Sequence, residues 1–177
     1  MTLLTVLAVV AVLVVAAGLY LVATANRLDR LHVRMDAGRA ALDAALARRA
    51  VVARTIAAGA PDAAPDATTP DSTAGLAEAA RAAEEAPWGE REPAENTLTR
   101  LLDQVDRAAL PRPLADELAD AEHRMIIARR VYNDAVRDTL ALRRRRKVRY
   151  FRLAGTAPRP EYFEIAEPDL PAGPPAA

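Results

Sequence analysis

The 177 residues carry 24 basic and 24 acidic side chains, so the formal charge is zero, and 51% of the chain is hydrophobic but only 4% aromatic. No cysteine is present, which excludes disulfide frameworks, thiolate metal sites and cysteine nucleophiles. Ser72 is the only serine and lies in a proline-rich stretch, which argues against a serine hydrolase. A core must come from Leu, Val and Ala, and that suits closely packed helices rather than a sandwich or barrel.

Residues 1 to 25 read as a transmembrane anchor. No side chain from Met1 to Asn26 is charged, and Leu3 to Ala23 runs LLTVLAVVAVLVVAAGLYLVA. About 20 such residues, rising 1.5 Å each, cross a hydrocarbon layer of roughly 30 Å. The run shows no polar face, and Tyr20 stands near its end, where a ring sits at headgroup level. A cleaved signal peptide is the competing reading, since Ala23-Thr24-Ala25 has the small-residue pattern of a cleavage site. Against it, no Lys or Arg precedes the apolar run, which is longer than the ~7–15 residues of a signal core. Arg27, Arg30, Arg34 and Arg39 follow the span, so the positive-inside rule expects the N-terminus outside the cell membrane and the remaining chain in the cytoplasm.

The first proline is Pro61, so a helix is expected to continue from Asn26 to about Ala58. Leu28, Leu31, Met35, Gly38, Leu42, Ala45 and Val52 follow a three-four spacing, with Leu46 and Ile56 alongside. Arg49 falls on this apolar stripe and interrupts it. Residues 59 to 75 read as a loop, rich in Pro, Gly, Asp and Thr. A short helix is expected over Leu76 to Ala86, a break at Pro87 to Pro93, and a third helix over Ala94 to Leu110. Leu114 to Ala154 lacks both proline and glycine. Leu114, Leu118, Ala121, Met125, Ala128, Tyr132, Ala135, Thr139 and Leu142 there give the strongest periodic signal in the chain. The expected fold is all-α: a transmembrane helix, an antiparallel four-helix bundle over residues 26 to 153, and a proline-rich acidic tail over 154 to 177. Tyr162, Phe163 and Ile165 are the tail residues able to dock on the helices.

Several stretches in order resemble the LemA family of bacterial membrane proteins. They are the anchor followed by ANRLDRLHVRMDAGRAALDAALARR, then AENTLTRLL with Glu95 and Asn96, then ADAEHRMIIARRVYNDAVRDT with Glu122, Arg129, Tyr132 and Asn133, and finally PEYFEI with Tyr162 and Phe163. The resemblance covers about residues 1 to 166. It implies a membrane anchor and a helical bundle, with no catalytic residue or cofactor to carry over. The chain departs from the family's pattern at residues 59 to 75 and again after Leu142, where arginines stand in place of a proline-containing turn.

The densest charge is Arg143, Arg144, Arg145, Arg146, Lys147, Arg149 and Arg152. Three readings stand: cations at a helix C-terminus offsetting its carbonyls, contacts to anionic headgroups at about 1 kcal/mol per basic residue, or contacts to nucleic acid or another acidic partner. Residues 59 to 142 are net acidic, with 17 acidic against 9 basic side chains, so the basic segments can also pair within the molecule. His32 and His123 have no neighbour at ligand spacing, so no metal site is expected. Asp116, Glu117, Asp120 and Glu122 read as a solvated face at a helix start. Tyr132 is expected in the core, Asn133 as a cap or a bridge to another helix, and Trp88 either as a plug or as an exposed contact. The sequence thus favours a non-enzymatic, membrane-anchored scaffold or adaptor for protein partners. The alternative is a regulator acting through its arginine cluster. No cofactor or small-molecule substrate is expected, nucleic acid is the least favoured partner, and homo-oligomerisation stays open.

Overall fold

The structure is a computed structural model that describes residues 1–59, 70–151 and 158–168. Arg152, residues 60–69 of the expected loop, and both ends of the expected tail lie outside the described residues. The elements are all helical: α1 (Thr2–Gly59), α2 (Pro70–Glu85), a single 3₁₀ turn (Trp88–Glu90), α3 (Arg91–Leu102), α4 (Arg112–Arg143) and α5 (Arg146–Tyr150).

Helix α1 runs unbroken for 58 residues, close to 90 Å at the standard rise. Its N-terminal part is long and apolar enough to cross a membrane, and none of that window is buried within the protein. Leu3, Leu7, Leu13 and Leu19 are all more than half exposed. So much exposed apolar surface on one helix is a surface awaiting a cover.

The chain divides into two compact units. The first combines Met1–Ala37 with Asp134–Tyr162. Here Leu28 packs with Leu142 and Val148, with Leu31 beside them, and Arg34 lies 3.6 Å from Asp138. Lower numbers on α1 meet higher numbers on α4, so the two helices are antiparallel in this unit.

The second unit combines Gly38–Asn133 with the chain from Phe163 onward. Ala50, Val52, Ala53 and Ile56 of α1 pack against Leu76, Ala79, Ala80 and Ala83 of α2, Leu98 and Leu102 of α3, and Leu118 and Ala121 of α4. Alanines let the helices approach closely. At Gly38 the approach is so close that a Cβ there would lie 3.3 Å from the Cα of Tyr132. Gly38 opposite Tyr132 and Arg48 paired with Glu117 make α1 and α4 antiparallel here too.

Three helix boundaries differ from expectation, each for a local reason. Helix α2 starts at Pro70 instead of Leu76, because a proline is tolerated in a helix's first turn, where its missing N–H would have no partner. Helix α3 spans Arg91–Leu102 instead of Ala94 to Leu110. Pro93 sits in its first turn for the same reason. Beyond Leu102 the bonds tighten to Gln104 N–H on Leu101 O and Val105 N–H on Leu102 O. The Asp106 carboxylate then accepts from the Ala108 N–H at 3.0 Å, an aspartate turn that competes with the helix. Helix α4 runs from Arg112 to Arg143, 32 residues, and turns before α5. Continuing the three-four spacing past Leu142 would place Arg145, Arg146 and Arg149 on the apolar face. The turn at Arg144 and Arg145 brings Val148 there instead, 2% exposed.

Candidate functional site

The best-defined constellation of the second unit is an extended segment held by side chains of α3 and α4. Asn133 grips the backbone of Phe163 twice: its amide nitrogen donates to the Phe163 carbonyl at 3.0 Å, and its Oδ1 accepts from the Phe163 N–H at 2.9 Å. Glu92 accepts from the Glu164 N–H and Asn96 from the Ala166 N–H, both at 2.8 Å. Arg129 pairs with Glu167. A strand's donors and acceptors are here satisfied by amide and carboxylate side chains instead of a neighbouring strand. Phe163 and Ile165, two residues apart in extended chain, point the same way and are both buried. The Phe163 ring meets Trp88 at 4.8 Å, Trp88 meets Tyr132 edge-on at 5.5 Å, and the Arg39 guanidinium lies 4.3 Å over the indole. Trp88 therefore clamps this segment. Asn133 bridges, though to the extended segment and not to another helix, and Tyr162 just before it remains 42% exposed.

Beneath lies a buried ionic cluster. Arg49 and Glu95 are both fully buried. Arg49 Nη2 donates toward Thr99 Oγ1 at 2.9 Å, Glu95 Oε2 at 3.0 Å and the Glu95 carbonyl at 3.1 Å. Arg91 lies 3.9 Å from the other Glu95 oxygen and 3.5 Å from Asp43. Loss of water dominates the titration here. It holds the Glu95 carboxyl above the usual carboxylate range despite Arg49 and Arg91, and holds Arg49 below its ordinary value despite Glu95. A second pair, Arg107 with Glu122, is bidentate at 2.7 and 2.9 Å, and Glu122 is also fully buried. Such an arrangement fixes helix against helix.

Glu122 corrects the expectation of a solvated face. Asp116, Glu117 and Asp120 are exposed, but Glu122 stands four residues after Leu118 and three before Met125, so the stripe carries it inward. The Arg49–Glu95 pair was the feature that sequence reading missed. Its signals were Arg49 on the stripe of the first helix and Glu95 three residues ahead of Leu98 on the third.

In the first unit Arg144, Arg145, Arg146 and Arg149 are exposed at the end of α4 and in α5. Arg143 donates to the Pro158 carbonyl at 2.7 Å. Four arginines, Arg143, Arg144, Arg149 and Arg159, line a cavity of about 360 Å³ with Leu140. His32 and His123 fall in different units, and among the described residues no cluster of metal-ligating side chains forms. No family model, curated protein or solved structure matches this chain.

Proposed function

We propose that the protein is a non-enzymatic, membrane-anchored adaptor of the LemA type: an anchor over residues 1 to 25, a cytoplasmic four-helix bundle, and surfaces presented to protein partners. The exposed apolar length of α1 supports the anchor, since burial in lipid removes that surface from water. The observation that carries the adaptor reading is the grip of Asn133, Asn96 and Glu92 on the backbone of residues 163 to 166. A helical surface that reads main chain and fills pockets with alternate side chains is built to hold extended peptide. Elsewhere on α4, Ile127 and Val131 lie one helical turn apart and are both nearly half exposed.

Photo-crosslinkers at Ile127, Val131 and Tyr162 in intact membranes, read by mass spectrometry, test this reading. Discrete adducts with one or a few proteins are expected. Adducts with lipid alone would overturn it. Alkaline washing should leave the full-length chain in the membrane, and a reporter fused at the C-terminus should be active only on the cytoplasmic side.

A further inference from the structure

We propose that Arg27, Arg144, Arg145 and Arg149 form a binding site for the phosphates of anionic phospholipid headgroups, placed where α1 leaves the bilayer. The proposal rests on the anchor reading above and adds a ligand class and the residues that take it.

The placement comes first. Antiparallel packing of α4 on α1 in the first unit, through Leu28, Leu142 and Val148, returns the arginine run to the level of Tyr20 through Leu28. Arg27 is the first charged side chain after the uncharged run. A cavity of about 200 Å³ opens there, with Tyr20, Ala23 and Thr24 on its apolar side and Arg27 and Arg145 as its cations. The Thr24 hydroxyl is committed to the Tyr20 carbonyl at 2.8 Å, so the arginines supply the strong donors. A pocket walled by lipid-facing residues and closed by two guanidiniums has the chemistry of a headgroup: acyl chain below, phosphate above.

A second cavity of the unit, lined by Leu140 and four arginines that include Arg144 and Arg149, repeats the charge with less apolar lining. Among the described residues, no carboxylate lines either cavity. Asp138 borders a third hollow with Arg27 and Arg145 and lies 3.6 Å from Arg34. Cations offsetting the carbonyls of a helix end account for two or three of these residues. They do not account for a cluster folded back beside an apolar helix.

The aromatic residues favour lipid over nucleic acid. Tyr150 and Phe151 stack edge-on at 5.0 Å and remain 82% and 51% exposed. An exposed ring pair next to arginines is also what a stacking platform for bases would show. Here it shares its unit with the bare apolar helix, as the aromatic belts of membrane proteins do.

The chain has no cysteine, so Ala141→Cys, at an exposed position beside the site, gives a single labelling position on the full-length protein. The labelled protein in neutral detergent is titrated with phosphatidylglycerol and with phosphatidylcholine as mixed micelles, with soluble glycerol phosphate and with a single-stranded oligonucleotide. A saturable fluorescence response to phosphatidylglycerol, absent with phosphatidylcholine and weakened by salt, is expected. Replacing Arg144, Arg145 and Arg149 together by Gln should weaken it roughly a hundredfold, and replacing them by Lys should keep most of it. Helical circular dichroism of both variants checks that they fold.

Equal response to both lipids, or unchanged affinity after the Gln replacements, overturns the proposal. A response to glycerol phosphate as strong as to the lipid reassigns the site to free anions. A response to the oligonucleotide alone reassigns it to nucleic acid. Loss of the chain from membranes on alkaline washing would defeat the anchor reading separately.

Discussion

The buried Arg49–Glu95 pair makes the most demanding prediction, because its two members should behave differently apart and together. At 3.0 Å and an effective dielectric near 20, their attraction is about 5 kcal/mol, and Arg91 at 3.9 Å adds about 4 kcal/mol on Glu95. Desolvating each ion costs several kcal/mol, so the pair as a whole contributes little net stability. Removing one partner is another matter, since the survivor stays buried and charged at a cost of about 3–5 kcal/mol. Glu95→Leu should sit at the upper end of that range, because among the described residues Glu95 is the only carboxylate that touches Arg49. Arg49→Met should sit at the lower end, because Arg91 still faces the Glu95 carboxylate. The double variant should lose no more than about 1 kcal/mol, as two apolar side chains replace two ions that were costly to bury.

Urea unfolding of the full chain in mild detergent measures all four corners of this cycle. Trp88 is the sole tryptophan and packs between Tyr132 and Phe163, so its fluorescence reports the second unit directly. A coupling energy of roughly 3 kcal/mol or more is expected. If the double variant cost the sum of the singles, or if either single cost less than about 1 kcal/mol, the pair would have to be solvated and the account of the core would fail.

Three further predictions follow from the same unit. Burial, opposed by Arg49 and Arg91, raises the folded Glu95 pKa, so only between the ordinary carboxylate value and the folded one does the native state hold a proton that the unfolded chain has lost. Stability from this group is therefore full below the ordinary carboxylate pKa and is lost as pH rises through the folded value. Urea midpoints across pH should show the advantage of wild type over Glu95→Gln shrinking in that window, and an advantage that grows with pH contradicts the assignment. Amide exchange should find the N–H groups of Phe163, Glu164 and Ala166 protected although they lie in no helix. Asn133→Leu should cost about 1–3 kcal/mol and release Phe163 first, and rapid exchange at these amides in wild type would refute the clamp. Gly38→Leu should destabilise by about 1–3 kcal/mol through overpacking against the Tyr132 backbone. A neutral result in the same urea assay would mean that the helices do not meet there.

Helical periodicity made much of this architecture legible. The stripe from Leu118 to Leu142 is buried at most of its positions, because three-four spacing and burial are one geometric fact on a straight helix. Boundaries were less legible, since they turned on local competition: Asp106 closing its own turn, Pro70 and Pro93 entering first turns, and arginines that could not follow Leu142 inward. The polar core was harder still. A charged residue on an apolar stripe reads as a flaw until its partner is found, and the partner of Arg49 lies 46 residues away on another helix. No periodicity carries that information. Docking of Phe163 and Ile165 was legible in their apolar side chains, but the hydrogen bonds that clamp them were not, because a side chain bonding to backbone leaves no pattern in the sequence of the backbone it holds.

That polar core also explains how an alanine-rich interface chooses one register. Ala50, Ala53, Ala79, Ala80, Ala83 and Ala121 present nearly uniform surfaces, and sliding one helix by a turn would exchange alanine for alanine at little cost. Leu98 and Leu102 narrow the choice but do not settle it, since Leu side chains one turn apart occupy similar holes. Such a slide of α3 against α1 would carry Glu95 about 5 Å from Arg49 along the axis. Both charges would then be buried without a partner, at a cost of about 3–5 kcal/mol. Arg107 on Glu122 adds a second lock between the segment after α3 and α4, and Asn133 on Phe163 a third for the extended segment. On this argument the buried ions add little to the depth of the native state. They raise the energy of its neighbours, and the double variant of Arg49 and Glu95 should therefore keep its stability while its amide exchange in α3 loses uniformity.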